Sequence, residues 1–245
     1  ALPSSVEGEL EPIQLLVIAK LNAGVEPLKA LQLGFQAVLC SPGFIYLNQG
    51  EGELDDHALA SRLSYLLWSS QPDKTLLDLA AKGDLKRHLD LQVERLLSDS
   101  RSDRFVSHFV RRWLDLDNIG TMPPSEDFLV YYRDNLKSAM RAETETFFRH
   151  VLDKNLPLGE FLSADYSFLN RELALHYGID GVDGNELQRV ALKGGRRGGL
   201  LGQGAFLTAS ANGVDTSPVV RGIYVLEKLD RKSTRLNSSH KPISY

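Results

Sequence analysis

Two ionisable residues interrupt the apolar side of the stretch DNLKSAMRAETETFFRHVLDK, residues 134–154. At about 100° per residue, Leu136, Ala139, Met140, Phe147 and Val151 share one helical stripe, and Lys137, Ser138, Arg141, Glu145 and Arg149 take the opposite face. Glu143 lies in the middle of the apolar stripe, one turn after Met140 and one turn before Phe147, and His150 lies beside Phe147 and Val151. A carboxyl placed there either keeps its proton or is held by a cation and hydrogen bonds. Two arginines occupy comparable positions. Arg62 stands at the edge of a face made by Leu59, Leu63, Leu66 and Leu67, and Arg112 stands among Phe105, Phe109, Trp113 and Leu116. The expectation is an ionised Glu143 paired with Arg62, with Arg112 and Arg171 in reserve. Such a pair ties helices together, and the same charges facing a cleft would form an active-site wall.

Other chemistry-bearing residues have simpler readings. The six histidines show no HxxxH or ExxH spacing, so a helix-borne zinc or di-iron site is not expected, and His150 reads as a hydrogen-bonded core histidine. The run RRGGLLGQG, residues 196–204, offers backbone amides and two arginines to an anion, but lacks GxxxxGK. Close packing by glycine is the preferred reading. Asp180, Asp183 and Asn185 form a solvated turn rather than a calcium loop, and Ser217-Pro218 reads as a helix cap followed by proline in the first turn. Cys40, the single cysteine, sits in the apolar run FQAVLC and is expected to be a packed thiol; it rules out an internal disulfide or a cysteine cluster.

The elements that must position these residues are helices. Apolar periodicity predicts them over residues 9–22, 26–40, 57–70, 75–82, 85–98, 102–116, 158–162, 199–209 and 217–229, besides the stretch containing Glu143. A short helix over 126–133 is expected to break near Asp134-Asn135, since a continuous helix to Asp153 would run about 42 Å. The one strand candidate is residues 187–192, LQRVAL, so the class is all-α, a multi-helix bundle with at most a short strand pair near there. With 245 residues, 42% of them hydrophobic, the chain has material for a sizeable core. The net charge is −4, and the last fifteen residues supply four of the 28 basic groups and no acidic one; without them 24 basic face 32 acidic residues. That acidic balance excludes a nonspecific nucleic-acid surface, and no apolar run is long enough to span a membrane. The start at Ala1, without a signal segment, suggests a missing upstream part.

Four stretches, FQAVLCSPGFIYL, HALASRLSYLLWSSQPD, SAMRAETETFF with SADYSFLNRELALHYGI, and RGGLLGQGAFLTASANGVDTSPVVRGIYVLEKL, together resemble adjoining helical domains of unknown function in large planctomycete-type proteins. The resemblance covers about residues 28–229. It implies an exported, extracytoplasmic parent protein carrying a cytochrome c-like domain, so that a c-type haem belongs elsewhere in that parent. This sequence has no CxxCH and calls for no cofactor of its own. Residues 1–50 then end a preceding domain, 53–180 form a central domain and 187–230 begin a truncated second one. The tail, 231–245, has no helical period and resembles translated vector read-through. Position 112 departs from the pattern, where a neutral polar residue is usual. The resemblance names no activity. The first functional expectation is the substrate-facing part of a redox enzyme, with Glu143, Asp165, Arg171 and Arg197 as its polar centre; the alternative is a non-catalytic scaffold or extracellular polymer-binding module that positions neighbouring domains. Convergence of those four side chains on one solvent-reachable pocket would mark an enzyme, and dispersal a scaffold.

Overall fold

Helix signals account for most of the observed architecture. The structure, a computed structural model, describes residues 4–46, 52–119, 134–192, 197–211 and 217–229. The tail 231–245, the expected helix over 126–133 and the expected break before it lie outside the described residues. The chain divides into two units, Ala1–Asp99 and Ser100–Tyr245. Twelve α-helices and one two-stranded sheet are found among the described residues, a mostly α fold.

In the first unit, α1 (Ser4–Asn22) and α2 (Pro27–Leu39) pack against each other across a turn containing Gly24, which has φ of 81°. Helix α3 (Pro42–Ile45) starts at Ser41, whose hydroxyl accepts the Phe44 amide, and α4 (Asp56–Trp68) starts at Asp55, whose carboxylate accepts the Ala58 amide at 2.6 Å. Asp73 caps α5 (Lys74–Lys82), Gly83 ends it in the left-handed conformation, and α6 (Leu89–Ser98) follows a short 3-10 turn. The buried face of α4 is Ala60, Ser64, Leu67 and Trp68. This corrects the expected face: Leu66 is exposed, because packing follows the large Trp68 ring, whose indole N–H donates to the Leu96 carbonyl at 2.9 Å. Arg62 is exposed on the same helix. Cys40 is also exposed rather than packed, as the residue that caps the C-terminal end of α2.

The second unit is built around α8 (Asp134–Asp153). Helices α7 (Asp103–Trp113), α10 (Arg171–Tyr177) and α11 (Gly204–Ala209) pack against it, as does strand β1 (Tyr166–Leu169). The short α9 (Glu160–Ser163) precedes β1. Strand β2 (Gln188–Ala191) pairs antiparallel with β1, Ser167 opposite Val190. The sequence pointed to β2 alone. Its partner comes from YSFL, four residues buried on both faces of the strand, so they show no alternation that would mark them. Leu136, Ala139, Met140, Phe147 and Val151 form the inner stripe of α8 as their spacing predicts.

The expected face of α7 is met in part: Leu116, just past its end, is buried and Phe105 and Trp113 pack half-buried against the core, but the fully buried residues are Val106 and Val110 with Leu114 at the C-cap, and Phe109 and Arg112 are exposed. Ion pairs cross from α7 to α8 between Arg111 and Glu145 at 2.9 Å and between Asp103 and Arg149 at 3.5 Å. Helix α12 (Pro218–Lys228) begins with Ser217 accepting the Val220 amide and Pro218 in the first turn, as read from the sequence. It is fixed to the end of α7 by two bonds: Tyr224 donates its hydroxyl to the Leu114 carbonyl, and Trp113 donates Nε1–H to the Lys228 carbonyl at 2.6 Å.

Candidate functional site

Helix α8 carries Glu143 into the interior with no exposed side-chain surface. Strand β1 presents Ser167, whose hydroxyl donates to one carboxyl oxygen at 2.6 Å; α10 presents Tyr177, whose phenol donates to the other at 2.6 Å. The Tyr177 oxygen in turn accepts the Gly204 amide N–H at 2.6 Å, so one hydrogen-bonded chain runs from the start of α11 through α10 to α8. Arg197 lies with its guanidinium 4.0 Å from the centre of the Tyr177 ring and donates to the Gly202 carbonyl at 2.9 Å.

Glycine makes this approach possible. A Cβ on Gly204 would stand 2.7 Å from the Tyr177 oxygen and 3.0 Å from the Met140 methyl, and one on Gly198 would stand 2.8 Å from the Ala164 carbonyl. Gly199 has φ of 53° and backs onto the Phe161 carbonyl. The run RRGGLLGQG is therefore used for close packing in its described part, 197–204.

Burial pushes the Glu143 carboxyl up to about 7, against the opposing effects of the Ser167 and Tyr177 hydroxyls, the Arg197 charge and the Gly204 amide. The Tyr177 phenol is raised by its own burial and by the neighbouring carboxyl, and stays protonated. His176, beside it, is lowered by partial burial and then by Arg197. The carboxyl is thus held in its protonated form up to about neutrality, with Tyr177 linking it to the glycine turn.

Of the residues singled out from the sequence, the structure brings Glu143 and Arg197 together through Tyr177. Asp165 and Arg171 are exposed: Asp165 precedes β1, its carbonyl accepting the Leu192 amide, and Arg171 opens α10, its amide bonded to the Gly184 carbonyl. Where the expectation was an arginine, with Arg62 first and Arg112 and Arg171 in reserve, both oxygens of Glu143 are taken by hydroxyls of its own unit, and the cation that acts on it there is Arg197. Two neutral donors can enter a dry interior at lower desolvation cost than a guanidinium. His150 is half-buried against the rings of Tyr166 and Phe168, with centroids 5.6 and 5.2 Å away. Asp180, Asp183 and Asn185 lie in an exposed turn whose carbonyls accept from Gln188 and Asn170. Among the described residues no group of three or more His, Cys, Asp or Glu is placed to hold a metal ion. Ser167, Tyr177 and Gly204 were missed; a hydroxyl inside the apolar run YSFL was the available signal for the first.

A second concave feature of this unit is a cavity of about 490 Å3 whose walls include Phe109, Trp113, Phe148, Phe161 and Leu229. Among the described residues its lining is apolar apart from Asn155 and includes no acid, base or nucleophile.

Fold and site together define a mostly helical protein whose polar centre is a buried carboxyl locked by hydroxyls. The chain belongs to the family described as PSD4, protein of unknown function (DUF1592), whose model matches residues 54–179. No curated protein and no solved structure matches it. Among the described residues no helix is long and apolar enough to cross a membrane.

Proposed function

We propose that this chain is a non-catalytic helical scaffold that positions neighbouring domains of a larger exported, haem-associated protein. The observation that carries the reading is the state of Glu143: its side chain is sealed from solvent and both oxygens are bonded to Ser167 and Tyr177. A carboxyl acting on a substrate needs an oxygen within hydrogen-bond reach of the reacting atom. This one instead links α8 to β1 and α10, and Asp165 and Arg171 lie elsewhere on the surface. Export, a place outside the cytoplasm, planctomycete-type setting and a haem domain elsewhere in the parent rest on the resemblance of the four sequence stretches. The test is turnover and melting temperature of the full-length parent carrying Asp165→Asn, Arg171→Gln or Glu143→Gln. A scaffold keeps its activity in the first two and loses it in the third only as stability is lost; lost turnover in Asp165→Asn at an unchanged melting temperature overturns the reading.

One observation favours the substrate-facing part of a redox enzyme as a second reading. A carboxyl with a pKa of about 7 beside Tyr177 and Arg197 has the proton affinity of a general base at neutral pH. Abolished turnover in Glu143→Gln with stability nearly intact selects it.

A further inference from the structure

Helices α1 and α2 pack mainly on each other and leave their large apolar side chains outside. Within α2 only Ala30 and Gly34 are buried, and a Cβ on Gly34 would stand 2.6 Å from a methyl carbon of Val17, so the two helices meet through small residues. On one side of this hairpin a groove of about 370 Å3 runs between them, with Ile18 on one wall and Leu31 and Phe35 on the other. At about 100° per residue, Leu21 shares that side of α1, and Leu28 and Leu39 share that side of α2. The row Leu28, Leu31, Phe35, Leu39 advances by steps of three and four residues, the spacing with which one helix seats against another. All six residues remain between 42 and 68% exposed.

We propose that this face is a homodimer interface, in which two copies of the chain bring their α1–α2 hairpins together about a two-fold axis as a four-helix bundle. Area is the first reason. At roughly 200 Å2 for a fully exposed large side chain, the six residues leave on the order of 650 Å2 of apolar surface in water. That is at the upper limit of what a monomer exposes, and it supplies the apolar centre of a stable interface, which covers about 800 Å2 on each partner. Shape is the second. Phe35, the most exposed of the six, stands beside a groove that Gly34 also lines, so the face carries both a projection and a recess, and a two-fold axis sets each projection into the recess of the other copy. Charge is the third. Lys20 and Lys29 fall on other sides of their helices, and Gln14, the one polar side chain lining the groove, is neutral, so two identical faces meet without repulsion. The pairing goes beyond the scaffold reading and does not rest on it.

The experiment is sedimentation equilibrium of the 245-residue chain, with helicity and Trp68 fluorescence read alongside. At about 50 μM the wild type is expected at the mass of two chains. Phe35→Glu sets a charge into the paired face at a mostly exposed position, and is expected at the mass of one chain with both fold signals unchanged. Leu33→Glu is the control. Leu33 is also exposed but lies about 160° round α2 from Phe35, so this variant keeps the mass of two chains. If Phe35→Glu does not fold, the paired change Leu28→Gln with Leu39→Gln replaces it, with the same loss of the dimer expected. A wild type that is monomeric at about 50 μM overturns the proposal and leaves the face to another domain of the parent protein. Association that climbs past two chains, or that Leu33→Glu weakens as much as Phe35→Glu does, is nonspecific adhesion and overturns it equally.

Discussion

Replacing Glu143 by glutamine keeps the shape of the side chain and removes its titration, which turns burial of the carboxyl into a measurable pH dependence of stability. The carboxyl titrates at about 7 in the folded protein and at 4.5 when free of it, a difference of 2.5 pH units (7 − 4.5). At about 1.4 kcal/mol per pH unit this amounts to about 3 kcal/mol. The sign follows from the raised value. Below the unfolded pKa both states carry the proton and the stabilisation is fully present. Between the two values only the folded state keeps it, so stability falls as pH rises, and above the folded pKa the whole amount is lost. Urea unfolding of the wild type and of Glu143→Gln at matched pH gives a difference in which all other titrations, His176 included, cancel. The wild type should lose about 2 to 3 kcal/mol relative to the variant between about pH 5 and about pH 8. Placing both proteins on a Trp68→Phe background leaves Trp113 as the fluorescent probe, which restricts the signal to the second unit. A difference that stays within about 0.5 kcal/mol over that range, or that grows in favour of the wild type with pH, refutes the argument that the buried carboxyl lacks adequate compensation.

Three further outcomes are expected. Tyr177→Phe removes a donor to Glu143 and the acceptor of the Gly204 amide, so it should cost about 2 to 4 kcal/mol in urea unfolding and move the Glu143 midpoint higher still. Gly199→Ala, which places a Cβ against the Phe161 carbonyl in a left-handed backbone, should cost about 3 kcal/mol or prevent folding of the second unit, read by the loss of near-ultraviolet circular dichroism. Asp73→Ala removes both the cap of α5 and the two-point contact with Arg95 at 2.7 and 3.2 Å; Trp68 fluorescence should report a loss of about 2 kcal/mol in the first unit, largely insensitive to salt because the pair is half-buried.

What the sequence by itself determined is local. The period of residues 134–154 placed Leu136, Met140, Glu143, Phe147 and Val151 inward, because the hydrophobic effect sorts one helix's side chains by their own spacing. Ser217-Pro218 marked a helix start because a cap acts within three residues. The tertiary structure decided everything that needed a second element. Helix α7 has two apolar stripes, Phe105–Phe109–Trp113 and Val106–Val110–Leu114, and no local energy chooses between them; in the fold the second is fully buried, while Phe109 and Trp113 keep partial exposure against the Phe148 ring of α8. The partners of Glu143 come from 24 and 34 residues further on, and nothing in the spacing separates two hydroxyls from any of the arginines. Burial in the assembled core also set its acidity, raising the carboxyl to about 7 even though Ser167 and Tyr177 donate to it.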